Sequence, residues 1–244
     1  MTIKSPPQDP SVTDGELQFD SIEDTIAAFK TGSFIIVLDS PHRENEGDLI
    51  IAASHLTPAK AAFMIHHTSG VLCAPLPASR AAALSLPAMV PSPLNRDPNR
   101  TAYTVSVDAA LASVSTGISA HDRSVTARVL ADPGVGAEAL RRPGHVFPLV
   151  ARDGGVRERS GHTEAAVEFC RLAGLEQVAV ISELVQGGRE VVGAAEREGE
   201  DGMMRAAECV EFARRWGLRV CTIEGLVGFL EGEGTGESGV NGVV

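Results

Sequence analysis

Between Asp39 and Asp48 the chain places four carboxylates and one arginine within ten residues: Asp39, Arg43, Glu44, Glu46 and Asp48. Oxygen ligands at this density suit a divalent cation such as magnesium, which takes one or two carboxylates, keeps several waters and leaves room for substrate oxygens. The acids not used on a metal can accept hydrogen bonds from sugar hydroxyls. By composition alone, however, an acidic run is more often a solvated surface turn. A second cluster lies 100 residues on, where Arg141, Arg142 and His145 are followed by Arg159-Ser160-Gly161-His162-Thr163-Glu164. If a helix starts at this second cluster, its free backbone N–H groups and positive dipole end attract an anion, and Arg159 with the Thr163 hydroxyl would complete a phosphate cradle. The same five residues, 159–163, also read as an ordinary helix start carrying a surface histidine.

Rigid elements must hold such groups, and the apolar pattern supplies them. Ser21 and Asp24 form a capping-box-like pair before Ile22, Ile26 and Phe29, which predicts a short helix ending at Gly32. Residues 34–38 and 49–53 are β-forming runs, so the acidic loop joins two strands. Thr57-Pro58 opens a helix through Ala61 and Ile65, and a strand over 71–74 follows Gly70. Beyond a proline-rich connection, strands are predicted at 103–108, 146–151, 178–182 and 219–222. The helices between them are expected from Ser119 to about 131, over 163–173 before Gly174, and over 206–216 before Gly217. Alternation of this kind argues for an α+β domain of mixed α/β layers, with a twisted mixed sheet of about seven strands flanked by helices.

At 244 residues, with 43% hydrophobic and 22% charged side chains, the chain is expected to form one domain over 16–230, between mobile tails at 1–15 and 231–244. A net charge of −11 disfavours nucleic acid and anionic membrane as partners, so a phosphate must be held by a local basic site. Four scattered cysteines without C-x-x-C spacing indicate neither a disulfide framework nor a zinc knuckle and fit a reducing cytoplasm. The sequence carries neither a signal-peptide core nor an apolar run of membrane-spanning length.

Three segments carry a resemblance. Arg43-Glu44-Asn45-Glu46-Gly47-Asp48, Arg142-Pro143-Gly144-His145-Val146-Phe147-Pro148-Leu149 and Gly161-His162-Thr163-Glu164-Ala165 resemble, in that order, the signatures of 3,4-dihydroxy-2-butanone-4-phosphate synthases. The likeness runs over residues 20–230. It implies a magnesium enzyme, with manganese as an alternative ion, held by Glu44 and His162. It implies His145 and Glu183 as acid/base groups, and Arg43, Glu44, Asp48 and Glu183 as substrate contacts. Asp39 and Glu46 would assist, and Arg159, Ser160, Gly161, His162 and Thr163 would bind the phosphate. Thr116 and Cys73 would line the pocket, although a lone buried cysteine is more often packing than chemistry. The implied partners are a small sugar phosphate and a second copy of the chain, as a homodimer with active sites near the interface.

Departures from the pattern are Ser115 for a usual Thr, Ser182 for a frequent Cys, and residues 187–200, which look inserted and with Asp201–Arg205 resemble the fungal, monofunctional form. The implied reaction converts ribulose 5-phosphate to the four-carbon phosphate and formate. A cation chelating vicinal oxygens would acidify the C3 proton and stabilise an enediolate. A metal-dependent aldolase or epimerase shares that first step, and a non-catalytic phosphosugar-binding protein would keep the pocket without turnover. Formate production separates the synthase from both.

Overall fold

The computed structural model describes residues 17–190, 192, 193, 197–199 and 202–234. The tails predicted at 1–15 and 235–244 lie outside these described residues, whereas 231–234, also expected in the C-terminal tail, form the end of a helix. The strands are β1 (Ile35–Leu38), β2 (Gly47–Ala52), β3 (Cys73–Leu76), β4 (Val107–Ala109), β5 (Leu140–Val150), β6 (Ala179–Glu183), β7 (Arg189–Glu190), β8 (Arg197–Glu198) and β9 (Arg219–Thr222). The α-helices are α1 (Ile22–Lys30), α2 (Pro58–His67), α3 (Ala78–Ala83), α4 (Ala120–Ala131), α5 (His162–Ala173), α6 (Ala206–Trp216) and α7 (Ile223–Gly234). Seven strands form one mixed sheet in the order β4-β5-β3-β6-β2-β1-β9, while β7 and β8 pair as a separate hairpin inside the segment read as inserted.

The central strands are near-continuous apolar runs because helices cover both faces of the sheet. Alternation sorts their side chains. Ile36 and Leu38 of β1, Leu49 and Ile51 of β2 and Val180 of β6 pack with Met64, Leu130 and Phe212 from α2, α4 and α6. Ile35, Val37, Ile50 and Ile181 point the other way, onto Phe29, Phe169 and Leu226 from α1, α5 and α7. The result is a three-layer sandwich, with the mixed sheet of seven strands that the pattern predicted.

Local chemistry fixes the helix ends. Ser21, Thr57 and Ser119 are N-caps whose hydroxyls accept from the N–H of Asp24, Lys60 and Asp122, and Gly174 and Gly217 end α5 and α6 in the left-handed conformation. Replacing Ser21 with alanine is expected to cost about 1 kcal/mol of unfolding free energy in a urea melt, leaving catalysis unchanged. Three expectations shift. β3 starts at Cys73 rather than at 71, the strand expected at 103–108 is confined to Val107–Ala109, and β5 begins at Leu140, six residues upstream of its predicted start at 146.

Candidate active site

The acidic loop leaves β1 at Leu38 and enters β2 at Gly47. Asp39 organises it from beneath. Its Oδ1 accepts from the Glu46 N–H at 2.9 Å, and its Oδ2 from the Glu44 N–H at 3.0 Å and the Arg43 guanidinium at 2.8 Å. Burial pushes the Asp39 carboxyl up, but these donors outweigh it and hold the group below the ordinary carboxylate range. From outside, Arg205 at the N-cap of α6 donates to the carbonyls of Glu44 (3.0 Å) and Asn45 (2.7 Å). The loop is therefore clamped on both sides.

Strand alternation then builds the wall. Asp48 and Glu183 stand opposite each other in the β2–β6 register, and by the two-residue period both share the α5 face with Ile50 and Ile181. Like charges placed directly opposite repel. Burial pushes Asp48 well above the usual carboxylate range, and Glu183, Glu44, Glu46 and Asp39 add to the shift. Glu46 is raised as well, by burial first and then by Glu44. Such a group of acids requires a proton or a cation to offset it. Glu183 is fixed by the Ser69 hydroxyl at 2.7 Å, and the buried Ser182 beside it bonds to Thr68 at 2.7 Å.

His162, the first residue of α5, turns its ring into this group. Its Nε2 lies 3.1 Å from the Val37 carbonyl, which can only accept, so Nε2 carries the ring proton and Nδ1 presents a lone pair. That lone pair faces Glu44 Oε2 at 3.8 Å and Asp48 Oδ1 at 3.7 Å, too far for hydrogen bonds. Burial brings the His162 pKa down to about 4 despite the attraction of Asp39, so the ring is neutral at pH 7. A neutral imidazole with its other nitrogen tied to a carbonyl is the usual state of a metal-ligating histidine. Ligand atoms of Asp39, Glu44 and His162 lie within 4.8 Å of one another, and the donor set of carboxylate oxygens and one imidazole fits a divalent cation.

The opposite end of the pocket suits an anion. Gly161 is the N-cap of α5 and brings no side chain to cap it, so the first-turn N–H groups face outward beside Thr163 and Arg159. The Arg159 guanidinium is braced by the buried Glu164 at 2.6 Å, by the Asn99 carbonyl at 3.0 Å and by the Thr101 hydroxyl at 3.0 Å. Those three bonds use three of its five N–H donors, leaving two for a ligand.

Of the predicted site residues, Arg43, Glu44, Glu46, Asp48, Cys73, Arg159, His162, Thr163 and Glu183 line this one cleft, with Thr101 and Tyr103 added. Cys73 is a wall residue whose thiol burial pushes up to about 12, so it stays protonated. Asp39 is engaged beneath the loop, the Ser160 hydroxyl bonds to the Val156 carbonyl, and Gly161 brings only backbone to the start of α5. His145 and Thr116 are not on the cleft wall of a single chain. His145 lies four residues before Leu149 on β5, roughly 13 Å along the strand, and is held instead by Asp108. Asn99, which donates to Glu44 Oε1 at 2.5 Å, was invisible to sequence reasoning because an asparagine in a proline-rich connection carries no signal of its own.

A cation-binding group of acids facing an arginine and an open helix start, set at the edge of a three-layer α/β/α sandwich, defines an enzyme class: cation-dependent chemistry on a small phosphorylated substrate. Comparison with known proteins narrows this. The family model for 3,4-dihydroxy-2-butanone 4-phosphate synthase matches residues 23–229. Curated synthases of that name from Pyricularia oryzae and Schizosaccharomyces pombe are similar at 59% and 49% identity, each over 87% of this chain and over 90% and 98% of their own length. A crystal structure of such a synthase in complex with two magnesium ions superposes with a TM-score of 0.85 at 59% identity, covering 88% of this chain and 98% of that one. The chain belongs to the 3,4-dihydroxy-2-butanone 4-phosphate synthase family.

Proposed function

We infer that the chain converts D-ribulose 5-phosphate into L-3,4-dihydroxy-2-butanone 4-phosphate and formate, as a carbon–carbon lyase of riboflavin biosynthesis, with magnesium held by Glu44 and His162. The observation that carries the reading is the His162 Nδ1 lone pair turned on Glu44 and Asp48 inside a group of acids that cannot all ionise unaided. Bound magnesium supplies Lewis acidity, drawing electron density from the substrate's ketone and neighbouring hydroxyl oxygens as the C3 proton leaves. Arg159, Thr163 and the open start of α5 hold the phosphate, which fixes the distance from that end to the reacting carbons. Glu183, oriented by Ser69, and His145 accept and return protons during loss of the C1 hydroxyl and release of C4 as formate.

A homodimer supplies what one chain separates. The cleft encloses about 80 Å³, well below the several hundred Å³ usual for a ligand pocket. Val71, 45% exposed, lies two residues before Cys73, and His145 two residues before Phe147, the β-partner of Cys73, so both lie beyond the same end of the β3–β5 pair. Ile118, 52% exposed, precedes α4, whose Arg123 donates to the Gly70 carbonyl. This partly apolar face fits a second copy, whose His145 and Thr116 would close the cleft of the first. Four free, buried thiols suit a reducing compartment, and we place the enzyme in the cytoplasm. Among the described residues no helix is long and apolar enough to cross a membrane.

Formate release from ribulose 5-phosphate tests the reading. One formate per substrate is expected with magnesium, none with EDTA, and recovery when magnesium or manganese is restored. Folded, metal-loaded protein that yields no formate would overturn it.

A further inference from the structure

β4 and β5 pair in register at Val107 and Val146, but the next partner of Asp108 is Arg141, so residues 142–145 are looped out of the ladder. His145 is the last residue of that bulge, and nothing in the ladder itself fixes its ring. The buried Asp108 does so. Its Oδ1 accepts from the His145 backbone N–H at 2.9 Å, and its Oδ2 lies 3.0 Å from His145 Nδ1. The side chain of Asp108 is 5% exposed and that of His145 is 40% exposed, so one ring edge is anchored while the other is open. Gly117 packs on the same carboxylate: at φ +96° it has no Cβ, and an added one would lie 2.0 Å from Oδ2. The 115–117 loop is itself held by Asp122, whose Oδ2 accepts from the N–H groups of Ser115 and Gly117, so that Gly117 is presented against Asp108.

We propose that Asp108 is a positioning residue for the reaction: it holds the His145 ring proton on Nδ1 and leaves Nε2 as the basic nitrogen aimed at substrate. This rests on the acid/base reading of His145. A carboxylate is acceptor-only, so the nitrogen facing it must donate. A neutral imidazole has one N–H, and spending it on Asp108 leaves a lone pair on the exposed Nε2. When His145 takes a proton, the same carboxylate faces the imidazolium and stabilises it. The bond also orients the ring in a segment where the strand ladder is broken.

The test combines kinetics with a tautomer measurement on the full chain. In wild-type protein labelled with ¹⁵N-histidine, long-range ¹H–¹⁵N spectra are expected to place the His145 proton on Nδ1. A proton found on Nε2 overturns the proposal without any variant. In Asp108→Asn, checked for folding by its thermal melt, that preference is expected to be lost. Its kcat for formate release should fall by on the order of 10- to 100-fold, with KM within about 2-fold of wild type. Folded D108N with wild-type kcat and an unchanged tautomer overturns the proposal. His145→Gln separates the two failures: if H145Q stays active, the acid/base reading of His145 fails, and if H145Q is inactive while D108N is fully active, only the role of Asp108 fails.

Discussion

Glu44→Gln and His145→Gln are each expected to lower formate release by on the order of 10²-fold or more, yet a heterodimer carrying one of each regains about half the wild-type turnover. The reason is geometric. If the acidic cleft of one subunit is completed by His145 of the other, one of the two sites in the heterodimer collects both mutations and the other collects neither. Co-expression with two different tags and double affinity purification isolates that species, and formate release per dimer reads the result. A purified heterodimer no more active than its parents would place His145 and the cleft in the same subunit's site, against the roughly 13 Å of strand between His145 and Leu149.

Asp48→Asn is expected to be more stable than wild type in EDTA at neutral pH, with a gap that widens as pH rises from 5. Asp48 keeps its proton in the folded, cation-free protein to a pH well above the 3.8 at which an unfolded aspartate loses it. Between those limits the folded state binds more protons than the unfolded state, so unfolding free energy falls as pH rises; asparagine has no such loss. His162 acts in the opposite sense. Its pKa of about 4 lies below the ordinary 6.5, so folding gains stability as pH rises between them. His162 Nδ1 lies 3.7 Å from Asp48 Oδ1, so the two titrate as a pair and the difference between the proteins reads both. Magnesium at 100 times its Kd adds about 2.7 kcal/mol to the wild type and less to D48N, which lacks one carboxylate of the cluster, so the gap closes when the ion is supplied. Urea melts across this pH range, with and without magnesium, measure both effects; parallel wild-type and D48N profiles in EDTA would refute the assignment.

Much of the scaffold was legible because caps and apolar period agree. Ser21, Thr57-Pro58 and Ser119 opened α1, α2 and α4 where expected, and Gly174 and Gly217 closed α5 and α6. The misses have physical causes. α3 is mostly alanine after Pro77, with no side-chain cap, and is stabilised by burying Ala81 beneath it and Leu84 at its end. α7 follows β9 without a break, and Gly225, Gly228, Gly232 and Gly234 obscure the Ile223, Leu226 and Leu230 stripe that the sheet recognises. The first half of β5 contains Arg141, Arg142, Pro143 and Gly144, a poor strand by propensity in which Leu140 and Arg141 pair with Ala109 and Asp108 of β4 while 142–145 bulge from the ladder. In the site, Glu44, Asp48, His162, Thr163 and Glu183 were readable as types in motifs. Their division from His145 and Thr116 was not, because motif order along a chain carries no distance across a sheet. Sequence set Asp39 apart as an assisting group but did not reveal that its oxygens would be committed to the loop's own amides.

The bare start of α5 has a further consequence. A side chain at Gly161 would meet Arg159, since an added Cβ would lie 2.3 Å from its Nη1, so glycine leaves room for that guanidinium as well as leaving the helix start uncapped. With glycine there, a substrate phosphate docked as proposed would act as the missing residue, finishing a helix that the chain leaves incomplete. Part of the affinity for substrate would then be the stability of α5 itself, and whatever frays the first turn of that helix would weaken binding without touching a single atom of the sugar.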